Sequence, residues 1–99
     1  MPRPTPAPPA SLEITQVLHA LADPVRLSIV RQLRESDAPI PCGDFDVGVA
    51  KSTLSHHFRV LRESGVTAAW HANGRTVLNR LREDEIDKRF PGLLAAVLE

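Results

Sequence analysis

A single cysteine, Cys42, rules out an intrachain disulfide framework and leaves no second thiol for a Cys-x-x-Cys metal or redox pair. Such sparing use of cysteine suits a reducing compartment. No apolar run approaches the roughly 20 residues of a membrane-spanning helix, and the N-terminal stretch lacks the apolar core of a signal peptide. A cytoplasmic protein with no membrane partner is expected. Glycine-rich phosphate loops and zinc-ligand pairs of the usual spacing are missing as well, so nothing signals catalysis. Net charge is also lacking, with 12 bases against 12 acids. The 99 residues make one domain whose core is modest enough for a second subunit to help cover its apolar faces.

The zero balance conceals a segregation. Between Lys51 and Arg82 the bases Lys51, Arg59, Arg62, Arg75, Arg80 and Arg82 face one acid, Glu63, for a net of +5. From Glu83 onward five acids face two bases, and the first 50 residues carry four arginines against six acids. A basic block inside a neutral chain is the footprint of a surface that binds a polyanion. A merely solvated face would mix acids into it.

Residues 1–10, "MPRPTPAPPA", hold five prolines and read as a disordered, extended tail ahead of a folded domain over 11–99. Ser11 is placed to cap a helix with Ile14, Val17, Leu18 and Leu21 on one side. Asp23-Pro24 then restarts the helix as N-cap and first helical residue, with Leu27, Val30 and Leu33 as its apolar stripe. "ESDAPIPCGDFDVG" allows only a short, distorted third helix near residues 42–46. A longer helix follows over about 51–63, closed by Gly65. "VTAAWH" and "RTVLNRL" are β-prone runs around Asn73-Gly74, a dipeptide suited to a tight hairpin turn, giving a wing over about 66–81. Helical turns broken at Pro91-Gly92 end the chain with Leu93, Leu94, Val97 and Leu98. The fold class is mostly α with a small β-hairpin.

The 51–63 helix carries the function. With Leu54 set at zero and about 100° per residue, Phe58 falls at about 40° and Leu61 at about 340°, a compact inward stripe. Ser55, Arg59, Ser52 and His56 fall between about 100° and 200°. That face holds short hydrogen-bonding groups near the helix start and a guanidinium one turn on, as a helix lying in the major groove requires. His57, at about 300°, sits beside the core stripe, where packing is expected ahead of a phosphate contact. The order helix, short turn, helix, hairpin is the layout of a winged helix-turn-helix.

"LADPVRLSIVRQL", "KSTLSHHFRVLRESGV" and "NGRTVLNRL", in that order and spacing, resemble the ArsR/SmtB family of winged-helix bacterial transcriptional regulators. The resemblance covers nearly the whole chain after the tail. It implies a homodimer joined through the first and last helices, here by Leu12, Leu18, Leu94, Val97 and Leu98, that represses by binding double-stranded DNA at a pseudo-palindromic operator. It assigns Lys51, Ser52, Ser55 and His56 to bases, Arg59 to a phosphate and Arg75 to the wing. Arg26, after the Asp-Pro cap, is left facing either the DNA backbone or an internal carboxylate.

Two departures bear on whether an effector that the sequence does not name, a metal or a partner protein, acts on the chain. Where relatives open the third helix with Cys-x-Cys this chain has only Cys42, and the last helix has no histidine. Cys42 with Asp44 and Asp46 is the one remaining candidate metal set, but adjacent carboxylates in a glycine-containing turn usually serve as solvated caps, so no metal or other cofactor is expected. Ala50 replaces a polar N-cap ahead of the recognition helix, at a cost of about 1 kcal/mol. Among rival functions, catalysis by Ser55 and His56 fails because consecutive helical side chains diverge by about 100°. The alternative is a winged-helix protein-interaction module without DNA binding, which predicts an eroded recognition face or a neutral wing.

Overall fold

Asp23 caps the helix that Pro24 begins. Its carboxylate accepts hydrogen bonds from the Val25 and Arg26 amides at 2.8 and 3.1 Å, opening α2 (Pro24–Glu35). The structure, a computed structural model of the chain, describes residues 3–4 and 12–99. Ahead of α2 lies α1 (Ile14–Leu21), which starts later than a Ser11 cap would place it. Glu13 is the capping residue, in extended conformation and without a side-chain cap, and Leu12 is buried just before it. Ser11 lies outside the described residues, as does the expected disorder of residues 1–10 apart from Arg3–Pro4.

After α2 come β2 (Ile40–Pro41) and a single 3₁₀ turn, Cys42–Asp44, so the expected third helix shrinks to one turn. Then follow α3 (Lys51–Glu63), β3 (Thr67–Asn73), β4 (Thr76–Leu81), α4 (Glu83–Arg89) and α5 (Leu93–Leu98). With β1 (Arg3–Pro4), the strands form an antiparallel sheet in the order β1-β3-β4-β2. The result is a winged helix-turn-helix. β2 was not expected from the sequence. It pairs Ile40 with Asn79 and Pro41 with Leu78 at the sheet edge, where a proline costs little.

The C-terminus of α3 is fixed by two backbone bonds, Val66 N–H to the Leu61 carbonyl and Gly65 N–H to the Arg62 carbonyl, both 3.1 Å. Gly65 supplies the positive φ, 86°, that this double bond requires. The Arg82 guanidinium then donates to the Gly65 carbonyl at 3.0 Å, tying the helix end to the end of the hairpin. Phe58 and Leu61 of α3 pack with Val17, Leu21, Ile29, Val30, Val66 and Ile86 in one core. α3 is therefore held along its apolar stripe and at its C-terminus, while its N-terminal half stands out.

The five leucines and valines expected at a dimer interface divide. Leu94 is fully buried within this chain and Leu12 and Leu98 nearly so, because α5 folds back onto the core. Arg34 and Arg31 of α2 donate to the α5 carbonyls of Leu94 and Leu98, at 3.4 and 3.5 Å. Val97 is half-buried, whereas Leu18 is 44% exposed, beside Ile14 at 42% on the same face of α1.

Candidate nucleic-acid interface

Lys51, Ser52, Ser55, His56 and Arg59 are all exposed on α3, while Phe58 and Leu61 are buried. The helical-wheel arithmetic and the observed faces coincide. Ala50 precedes the helix in extended conformation and gives no side-chain cap, so the first amides of α3 are left for another acceptor. Backbone N–H groups at a helix start, backed by the helix dipole, attract a phosphate. The Ser55 hydroxyl donates to the Lys51 carbonyl at 3.1 Å and so presents its lone pairs outward, as an acceptor.

His57 belongs to the interior. It is buried with its Nδ1 3.1 Å from Arg26 Nη1. A guanidinium only donates, so Nδ1 is the acceptor and a neutral ring carries its proton on Nε2. Asp23 Oδ1 is 4.0 Å from the same nitrogen and acts on it through charge rather than as a hydrogen-bond partner. Arg26 also donates through Nε to the Ala20 carbonyl at 2.7 Å and through Nη2 to the His19 carbonyl at 3.2 Å. Among the described residues Arg26 makes no ion pair with a carboxylate, although its charge acts on Asp23: its hydrogen bonds close the C-terminal end of α1 and lock that corner to α3. Partial burial pushes the Asp23 carboxyl up, but amide hydrogen bonds from Arg26 and Val25, with the nearby Arg26 charge, outweigh it, leaving its pKa below the ordinary aspartate value.

The hairpin turn differs from expectation by one residue. Only Gly74 takes a positive φ, 55°, and Asn73 pairs with Thr76, so the central residues are Gly74-Arg75 rather than Asn73-Gly74. Glycine in the first central position is the other hairpin solution. An irregularity between His71 and Asn73 shifts the register by one residue, and this sets the turn. Arg75 thereby stands exposed at the wing tip itself.

Two of the six bases in the +5 block are spent internally. Arg82 is buried, with Nε 3.2 Å from Glu85 Oε2, and Arg80 approaches the same oxygen at 3.7 Å. Burial pushes the Glu85 carboxyl up, yet its own amide, the Arg82 hydrogen bond and the charges of Arg80 and Arg82 bring it below the usual glutamate range. Lys51, Arg59, Arg62 and Arg75 make no ion pair among the described residues. These four remain for a polyanion.

The loop leading into α3 is held by contacts that no local sequence signal announces. Gln32 of α2 grips the Asp46 backbone on both sides, donating to its carbonyl and accepting from its amide, each at 3.1 Å. Buried Asn79 donates to the Ile40 carbonyl and to Cys42 Sγ, both at 3.2 Å. Cys42 is half-buried and Asp44 and Asp46 are exposed, and the described residues contain no group of three or more histidine, cysteine or acidic side chains able to hold a metal ion. No helix among them is long and apolar enough to cross a membrane.

Comparison with known proteins gives the same picture. A family described as a helix-turn-helix domain matches residues 21–68, from the end of α1 through the start of β3. The chain is 40% identical over 81 residues to the uncharacterized HTH-type transcriptional regulator YceK of Bacillus subtilis, covering 80% of each protein. Two Mycobacterium tuberculosis proteins are also similar: the HTH-type transcriptional regulator NmtR, 34% identical over 77 residues, and the HTH-type transcriptional repressor SmtB, 36% over 84. These matches cover 78% and 84% of this chain but 63% and 62% of the relatives, so the chain spans less than two thirds of either.

Proposed function

The chain belongs to the ArsR/SmtB family of winged helix-turn-helix DNA-binding transcriptional regulators, and we propose that it acts as a homodimeric repressor on a pseudo-palindromic operator. In this reading α3 enters the major groove, with Lys51, Ser52, Ser55 and His56 toward base edges and Arg59 on a phosphate. The wing carries Arg75 along the backbone. The single observation that supports it most strongly is the exposed α3 face, free of acids through its first three turns, beside four bases that pair with no acid among the described residues. An interaction module that had given up DNA would have no reason to keep those charges uncompensated. Repression follows by occupancy, since a dimer seated on an operator excludes other proteins from the same groove.

The test is to let the purified protein select fragments from its own genome at moderate salt and to sequence what it retains. The expected result is one short motif with two inverted halves about one helical turn, roughly 34 Å, apart. Retention without any enriched motif would mean that the face holds backbone only, and no retention at all would favour the interaction-module alternative.

A further inference from the structure

Between the loop that precedes α3 and α3 itself lies a groove of about 800 Å³ whose floor and rim differ sharply in chemistry. Phe45 and Phe58, in ring contact at 5.2 Å, form the base, and half-buried Val47, Val49, Leu54 and Val77 form the apolar walls. The rim carries Lys51, Arg59 and Arg62 together with the Ser52 and Ser55 hydroxyls. No acid lines the groove, and none of the three bases is engaged in an ion pair among the described residues.

We propose that this groove is an effector site for a small amphipathic anion, a hydrocarbon body ending in a carboxylate, whose binding competes directly with DNA. The proposal rests on the DNA-binding reading of α3 for its regulatory half only. Charge complementarity selects the class: an apolar body gains by leaving water for the valine and phenylalanine walls, and its anionic end meets three cations that otherwise face solvent. A cation of the same shape meets repulsion at the rim, and a neutral alcohol gains the apolar contact alone. The volume suits a small organic molecule. Competition follows from shared residues, because Ser52, Ser55, Lys51 and Arg59 belong both to the rim and to the DNA-facing surface. An occupied groove neutralises the charges a phosphate would meet and places a carboxylate against the approaching backbone. For simple competition the apparent dissociation constant for DNA rises about elevenfold at a ligand concentration ten times its own dissociation constant. The walls come from the loop clamped by Gln32 and from β4, so the site is preformed in the folded chain.

The probes are decanoate, kept below its micellar concentration, with decanol and decylamine as neutral and cationic counterparts. Direct binding to the full-length protein is measured by calorimetry without DNA, and release of genome-selected DNA is measured separately by fluorescence anisotropy. Decanoate is expected to bind at least tenfold more tightly than decanol, with decylamine weakest, and to release DNA in proportion to its occupancy. Val47→Glu, which puts a carboxylate in the wall away from α3, should lose decanoate binding at least tenfold. Arg62→Gln should weaken decanoate and leave decanol unchanged, which keeps the charge argument testable should Val47→Glu fail to fold. Equal binding of all three probes, decanoate binding indifferent to both substitutions, or a decanoate complex that holds DNA as tightly as the free protein would each overturn the inference. Decanoate binding by a protein that selects no DNA would uphold the site and overturn the DNA reading instead.

Discussion

Arg26 shows how one side chain ties three segments together. It is buried, spends three nitrogens on His19, Ala20 and His57, and never reaches solvent as a free charge. Arg26→Met removes those donors and leaves the Ala20 carbonyl and the His57 ring nitrogen unsatisfied, while the His19 carbonyl keeps only the Ala22 amide. A loss of about 3 kcal/mol in urea-unfolding free energy is expected, at the upper end for hydrogen bonds from a charged group. A Cm equal to wild type would show the network to be dispensable. Asp23 gives a second test, through pH. Its folded pKa lies below the unfolded value of about 3.9, so its ionised form stabilises the fold above that value and the contribution is lost as pH falls from there through the lower folded pKa. The stability gap between wild type and Asp23→Asn should hold constant above pH of about 5 and shrink below about 4, read from urea midpoints across that range. Only the first of these roles was hidden in the sequence. Asp-Pro announced the cap, but the partners of Arg26 lie on the preceding helix and across 31 residues on α3, and only the folded corner brings them together.

At the scale of elements, what the sequence revealed and what it hid follow the range of the interactions involved. Both helices of the Asp-Pro corner, α3 with its Gly65 stop and the two wing strands were legible because local caps and periodicity specify them. The turn register was not, because Asn73-Gly74 and Gly74-Arg75 are both sound hairpin centres and an irregularity between His71 and Asn73 decides between them. β2 was hidden for a related reason: two residues with a proline become a strand only because Asn79 and Leu78 wait opposite. The charge block was overcounted because Arg80 and Arg82 turn toward Glu85, on the helix that follows. The N-terminus of α3 is open. Ala50 has the extended backbone of an N-cap, φ −65° and ψ 152°, without a side chain to use it. Ala50→Ser should therefore raise stability by about 1 kcal/mol, measured by urea unfolding. No gain would mean that another group already satisfies those amides.

For the whole molecule, the burial pattern separates what folds the chain from what is left for a second copy. Leu94 and Leu98 lie in the chain's own core, so charges placed there test folding rather than assembly. Among the described residues Ile14 and Leu18, one helical turn apart and 42% and 44% exposed, are the large hydrophobic side chains left exposed. Burying what each still exposes across a two-fold axis is worth roughly 1 kcal/mol, counted twice in a symmetric dimer. Ile14→Glu with Leu18→Lys should therefore give a folded monomer, seen as halved mass in sedimentation velocity with an unchanged circular dichroism spectrum. An undiminished dimer would place the interface elsewhere. The same variant should bind the selected DNA far more weakly, since one protomer reaches only one half-site.

The central claim, that the α3 face reads bases while the wing tip holds the backbone, is tested most directly by one anisotropy titration. Wild type, His56→Ala and Arg75→Ala are each bound to the selected site and to random duplex across a salt series. His56→Ala should lower the preference for the selected site by roughly 1 to 3 kcal/mol and keep the salt slope. Arg75→Ala should weaken both DNAs alike and reduce the salt slope by about one ion per wing, about two for a dimer. The account is contradicted if His56→Ala leaves the preference untouched, or if Arg75→Ala changes the preference while the slope stays the same.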